Sequence, residues 1–280
     1  MASPSPTRLR QIALVAKDID LAQMLLCTVL DTEVIFVDPA VTRWVAIGGD
    51  VVEVVSPTQP NTTAGRILEK RGDGGYMIIM QTLDAVRQRG YIESNNLRKV
   101  IYSHSKPESV CIQYHPKGVK GGVIPELDSH NTDVNNPDPL GNPYSPWHAS
   151  GPSYSAYSAG MKRCSHLKLV NVTCRLAPGD SDIQAAVQQW TDTFSVPKGN
   201  GPSLAFTNAD MSFVPGLEGY SEGISSITLS TEGDDRLKRA FWEAQKLGLP
   251  CDQAQGWVDM LGVRWYIVKA DNQRPGSSRL

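Results

Sequence analysis

The 280-residue sequence lacks most of the features that would place a chain quickly. Its five cysteines, Cys27, Cys111, Cys164, Cys174 and Cys251, show no CxxC spacing. An odd, scattered set argues against a disulfide framework and suits a reducing compartment. No apolar run reaches the roughly 18 residues of a membrane span. The opening MASPSPTRLRQ has no apolar core, so it does not read as a secretory signal, and a cytoplasmic location is the expectation. The formal charge of −2, with no block of lysine and arginine, argues against nucleic-acid binding. GxGxxG and GxxxxGK[ST] are both missing, and GDGG at 72–75 reads as a turn into a strand, not a phosphate loop.

What is present suits a globular chain: 20% charged and 40% apolar residues, too apolar for disorder. In RQIALVAKDIDLAQMLLCTVL, Ile12, Leu14 and Ala16 alternate as in a strand, and Asp18 or Asp20 can cap a helix starting near Leu21. TEVIFVD, TRWVAIG and DVVEVVSP read as three more strands, with Gly48-Gly49 a turn and Pro57 and Pro60 the stop. The order then repeats: GGYMIIMQT a strand, LDAVRQRGY a short helix, and KVIYSH, VCIQYHP and GGVIPELD three strands. Residues 8–56 and 73–128 are therefore two copies of strand-helix-strand-strand-strand, expected to pair as a first domain over 8–128. Gln11 stands seven residues before Asp18, as Met77 stands seven before Asp84.

Residues 129–162 are dominated by Asn, Pro, Ser, Gly and Tyr and read as a linker or ordered arm without helix or strand. Trp147 and the tyrosines favour partial ordering against a domain surface. From 163 to 270 the pattern resumes as a more divergent second domain, with the amphipathic stretch SDIQAAVQQWTDTF, the helix DDRLKRAFWEAQKLGL and the closing strand VRWYIV.

Three segments, QIALVAKDIDLA, GRILEKRGDGGYMIIMQTLDAV and IQYHPKGVKGGVIPELD, resemble the vicinal oxygen chelate superfamily, also called the glyoxalase/bleomycin-resistance fold. Locally they are most similar to its methylmalonyl-CoA epimerase-like members. With VVEVVSP they are spread over residues 11–128, all in the first half, whereas the second half follows by element order alone. The resemblance implies an α+β fold of paired βαβββ modules forming cupped mixed sheets, here as two tandem domains. It also implies that four inward side chains hold one divalent metal. By position these are Gln11, Glu53, Met77 and Glu126. Histidine is usual at the first and third, glutamine substitutes at the first, and Met77 is the departure.

Chemistry bears on that set. Gln11, Glu53 and Glu126 offer oxygen to a hard or borderline ion, but a thioether suits softer ions. Without a metal, Glu53 and Glu126 share one cup, and like charges push one pKa upward to give an acid and base pair. Glu53 in VVEVV could equally face water from a half-buried sheet. His115 in the HP pair is a third catalytic candidate, able to move protons near neutrality. Lys117 and Lys120 flank a glycine-rich turn that could meet phosphates or simply be solvated. In the second half the matching positions offer His166 or Thr173, then Ser212, Ser226 and Tyr266, which make no metal site. The two histidines and glutamate of an extradiol dioxygenase are absent.

Two functions fit. As an isomerase or lyase, including a cyclase, the cup takes a small oxygenated organic substrate, with Glu126 as base and Glu53 stabilising an enolate. As a binding or sequestration protein of the bleomycin-resistance type, it holds a ligand without metal or turnover. A homodimer is compatible with either. The arm can cover its own cup or a neighbour's.

Overall fold

Residues 5–38, 42–59, 61–134 and 136–270 are described by a computed structural model. Alternation builds the first module. In β1 (Thr7–Val15), Ile12 and Leu14 turn to the face under the helices, and Ala13 and Val15 turn to the other. The Asp18 carboxylate accepts from the backbone N–H of Asp20 and Leu21 and so caps α1 (Ile19–Leu30). Ala22, Leu25, Leu26 and Val29 of α1 join Ile12, Leu14, Val52 and Val54 in one core. β2 (Val34–Asp38), β3 (Thr42–Ile47) and β4 (Asp50–Val55) form an antiparallel ladder, and β4 closes parallel to β1.

The second module repeats the pattern. Asp84 caps α3 (Ala85–Ser94) after β5 (Gly74–Thr82). β6 (Val100–Ser105), β7 (Ser109–Tyr114) and β8 (Ile124–His130) follow, with β8 parallel to β5. The antiparallel β1–β5 ladder joins the two modules into a cup. One element was not expected: α2 (Thr63–Arg71), capped by the Thr62 hydroxyl on Gly65 N–H. Pro57 follows the end of the preceding strand, Pro60 lies outside the described residues, and the Thr62 cap restarts the chain as a helix.

The second half is built alike. It comprises β9 (Leu167–Arg175), α5 (Ile183–Phe194), β10 (Ser203–Ala205), β11 (Asp210–Val214), β12 (Gly223–Thr231), α6 (Asp234–Lys246), β13 (Cys251–Asp252), β14 (Trp257–Met260) and β15 (Val263–Lys269). β9 runs parallel to β11, β12 parallel to β15, and an antiparallel β9–β12 ladder joins them. The chain is thus α+β, with two tandem cups of paired modules. The cups are continuous in one 15-stranded sheet through Ile224 of β12 opposite Gly75 of β5. A Cβ at Gly75 would stand 2.6 Å from Ile224, so a glycine is what lets the two sheets meet.

The arm departs from the expectation of no regular structure. Its first residues, 129 and 130, complete β8, and its end forms α4 (Tyr154–Arg163). Tyr157 and Met161, four residues apart, lie on one face of α4 and join the apolar cluster inside the first cup. Packing, not propensity, stabilises this glycine- and serine-containing helix. The two cups therefore differ. Every residue of β1 and β8 is buried, which marks sheet covered on both faces. β9 and β15 alternate between buried and solvent-contacting residues, so the second cup is open.

Candidate functional site

Register decides which side chains converge. On β1 and β4, Gln11 lies opposite Val51 and Ala13 opposite Glu53. On β5 and β8, Met77 lies opposite Ile124 and Ile79 opposite Glu126. Across the β1–β5 ladder, Gln11 faces Ile79 and Ala13 faces Met77. The modules are thus related by an approximate two-fold, under which Gln11 corresponds to Met77 and Glu53 to Glu126. The alternation that sends Val52 and Val54 to the core sends Glu53 into the cup.

The arm fills this cup. Arg10 is the extra residue of a bulge between Leu9 and Gln11, which re-aims it to the concave side. Its guanidinium is fully buried and donates to the carbonyls of Pro143 and Ser145, each at 2.9 Å. Arg8 pairs with Asp50 at 2.7 Å and donates to the carbonyls of Asn142 and Pro143, while Gln81 donates to Pro139 O. These anchors deliver Trp147 into the cup with no exposed surface. Its indole N–H donates to Gln11 Oε1 at 2.7 Å, and Gln11 Nε2 donates to Glu53 Oε2 at 2.7 Å. The arm covers its own cup. Burying one large aromatic stabilises this contact by roughly 4–6 kcal/mol before ordering costs.

Burial governs the charges. It lifts the Glu53 carboxyl to about 7, with Glu126 adding to the rise and the Gln11 hydrogen bond opposing it. Burial also lifts Glu126, opposed by its polar neighbours Gln113, Cys111 and Asp128. Asp128, with no exposed surface, is held well above its usual range by burial and then by Glu126. Tyr76 is raised by burial and by both glutamates. His130 is lowered to about 3 by burial and by His148 and Arg10, and His148 to about 4 by burial and by Lys106 and His104. Both rings are neutral near pH 7. Among the described residues, no lysine or arginine forms an ion pair with Glu53, Glu126 or Asp128.

The four positions that the resemblance assigns to a metal do not fit one as arranged. The amide oxygen of Gln11, its only donor to a cation, accepts the Trp147 N–H instead. Met77 packs with Ile79, Ile124 and Trp147 as cup wall. His115 stands exposed on the turn after β7, its Nδ1 accepting the Lys117 N–H at 3.0 Å, outside the cup. Lys120 ion-pairs with Asp180 of the second half, and Lys117 is exposed. In the second cup, Ser212, Ser226 and Tyr266 occupy the positions matching Glu53, Met77 and Glu126, but the first position belongs to Asn171 and not to His166 or Thr173. Asn171 accepts from Ser212 and donates to Thr173. The sequence holds no expected nucleophile elbow, although a GxSxG string occurs at 219–223. Ser221 lies exposed in a loop entering β12, not on the strand-to-helix turn that a nucleophile elbow requires.

Sequence reasoning docked Trp147 on a domain surface but assigned no site role to it or to Cys111, Asp128, His130 and His148. The signal for two of them was available: Glu126, Asp128 and His130 alternate along β8 and so share one face. Nothing in the sequence aims Trp147 or His148 at that face.

Comparison with solved structures agrees with the architecture. A hypothetical protein from Staphylococcus aureus is similar over 94% of this chain and all of its own, at 10% identity and a TM-score of 0.55. Methylmalonyl-CoA epimerase from Mycobacterium tuberculosis aligns with 47% of this chain and 93% of its own, at 20% identity and a TM-score of 0.40. A hypothetical protein from Bacillus halodurans aligns with 46% of this chain at 16% identity and a TM-score of 0.38. No family model matches the sequence, and no curated protein does. The paired modules have the vicinal oxygen chelate fold, in tandem, and the full-length likeness extends over both cups. All five cysteines are free, and among the described residues no helix is long and apolar enough to cross a membrane.

Proposed function

We propose that the first cup is the proton-transfer site of an isomerase or lyase acting on a small oxygenated carbon acid, with the arm as its lid. This reading divides the chain into a first domain (8–128), the lid (129–162) and a second domain (163–270). One observation carries it: Glu53, half-buried, and Glu126, buried, occupy equivalent positions in one cup, and among the described residues neither has a cationic partner. Desolvated, unneutralised carboxyls cost stability, and such groups gather at functional sites. Two acids in one cup share protons unequally, so one is a base while the other remains a donor. With the lid open, Glu126 takes the proton from the acidic carbon. The Glu53 acid donates a hydrogen bond to the enolate oxygen that develops. The proton then returns to carbon in an isomerase, or a β-substituent departs in a lyase.

The test is deuterium exchange in D2O into a panel of carbon acids: a 1,3-dicarbonyl, an acyl thioester and a phenolic polyketide. Exchange into one of them that disappears in Glu126→Gln is the expected result. A wild-type rate no faster than that of the Glu53→Gln/Glu126→Gln double variant across the panel defeats the reading. Ligand binding without turnover is the second reading. The open second cup favours it, with Asn171, Ser212 and Tyr266 half-buried at the positions matching Gln11, Glu53 and Glu126. A compound that binds tightly and is recovered without deuterium would favour it over the first.

A further inference from the structure

Cys111, Asp128 and His148 bring their donor atoms within 4.8 Å of one another beneath the arm. Cys111 and Asp128 are register partners on β7 and β8, so the sheet fixes them side by side. His148 comes from the arm. Its backbone N–H donates to His130 Nε2 at 3.1 Å, and its ring packs 5.3 Å from His130 and 5.4 Å from Trp147, which orients it. Asp128 is the anomaly. It has no exposed surface, and neither carboxylate oxygen accepts a well-formed hydrogen bond. Buried carboxylates are normally satisfied, and one left bare costs several kcal/mol.

We propose that these three side chains form a site for a zinc-like divalent cation that staples the arm to the first cup. The spacing supports it. His148 Nε2 lies 3.6 Å from Asp128 Oδ2. That is too long for a charge-assisted hydrogen bond of about 2.7–2.9 Å. It is close to the edge of about 3.3 Å in a tetrahedron with metal bonds of about 2.0–2.1 Å. The donor set of one thiolate, one carboxylate and one neutral imidazole suits a borderline-soft ion such as Zn²⁺ and not Mg²⁺ or Ca²⁺. A dication with one thiolate and one carboxylate is electrically neutral, which burial tolerates. The site is separate from the position that the fold's resemblance assigns to a metal. Asp128 lies two residues beyond Glu126, β7 supplies none of those four positions, and the arm is no part of the paired modules. The acid–base reading is not needed for it.

The test is Co²⁺ titration of the full chain after chelator treatment, followed by Zn²⁺ competition. One equivalent should produce a thiolate-to-cobalt charge-transfer band and tetrahedral visible bands, which Zn²⁺ removes. Cys111→Ser should abolish the charge-transfer band, and His148→Gln should weaken binding by at least about tenfold. Loaded protein should also resist proteolysis between 131 and 163 more than chelated protein does. His148 lies outside the sheet, so His148→Gln carries the test if Cys111→Ser does not fold. No charge-transfer band at one equivalent overturns the proposal. So do bands and affinity unchanged in both variants, which would place the ion elsewhere.

Discussion

Replacing Glu53 with glutamine should remove a pH-dependent penalty on folding. In the folded chain, burial and Glu126 hold this carboxyl at about 7, against an ordinary 4.5. Between those values the folded state keeps a proton that the unfolded state has released. The sign follows: the contribution of Glu53 is fully present below about 4.5 and is lost as pH rises through about 7. At 1.36 kcal/mol per pKa unit, the gap is worth about 3 kcal/mol. This is an upper figure, because the side chain keeps some contact with solvent. Glutamine retains an acceptor for the Gln11 amide but has no proton to lose. Urea unfolding at pH 5 and pH 8 measures the difference, provided that the denaturant slope is unchanged. Glu53→Gln should gain on wild type between the two pH values by up to about 3 kcal/mol. Asp128, His130 and His148 titrate in both chains and drop out of the comparison. Stability curves that run parallel in pH for the two chains would refute the burial argument.

Two other perturbations probe the packing. Trp147→Ala removes a fully buried indole and the donor to Gln11, and should cost about 3–5 kcal/mol. Added indole should restore part of that loss in a thermal melt. A melting temperature within about 2 °C of wild type would show that the indole does not stabilise the closed arm. Gly75→Val places methyl groups where Ile224 already stands and should cost about 1–3 kcal/mol. Calorimetry should then resolve the two halves as separate transitions, and an unchanged single transition would mean that the β5–β12 junction does not couple them.

Much of the first half was determined by local rules. Period-2 alternation put Ile12 and Leu14 on one face and Glu53 on the other, and Asp18 and Asp84 marked the helix starts. Seven-residue spacing in both modules made Gln11 and Met77 equivalent before any register was known, and the register agrees. The rest depended on contacts between residues distant in sequence. The bulge that turns Arg10 toward the arm needs β5 beside β1. α4 forms because Tyr157 and Met161 find an apolar cup, not because its own sequence favours a helix. In the second half, a one-strand register made Asn171 the counterpart of Gln11, where sequence spacing alone left His166 and Thr173 open. The donors of Cys111, Asp128 and His148 meet across up to 37 residues of chain, and Trp147 meets Gln11 across 136. A sequence carries periodicity and caps within a few residues of each position. Where an arm of mixed composition docks is set by the shape and unsatisfied polar groups of a surface that exists only once the sheet has closed.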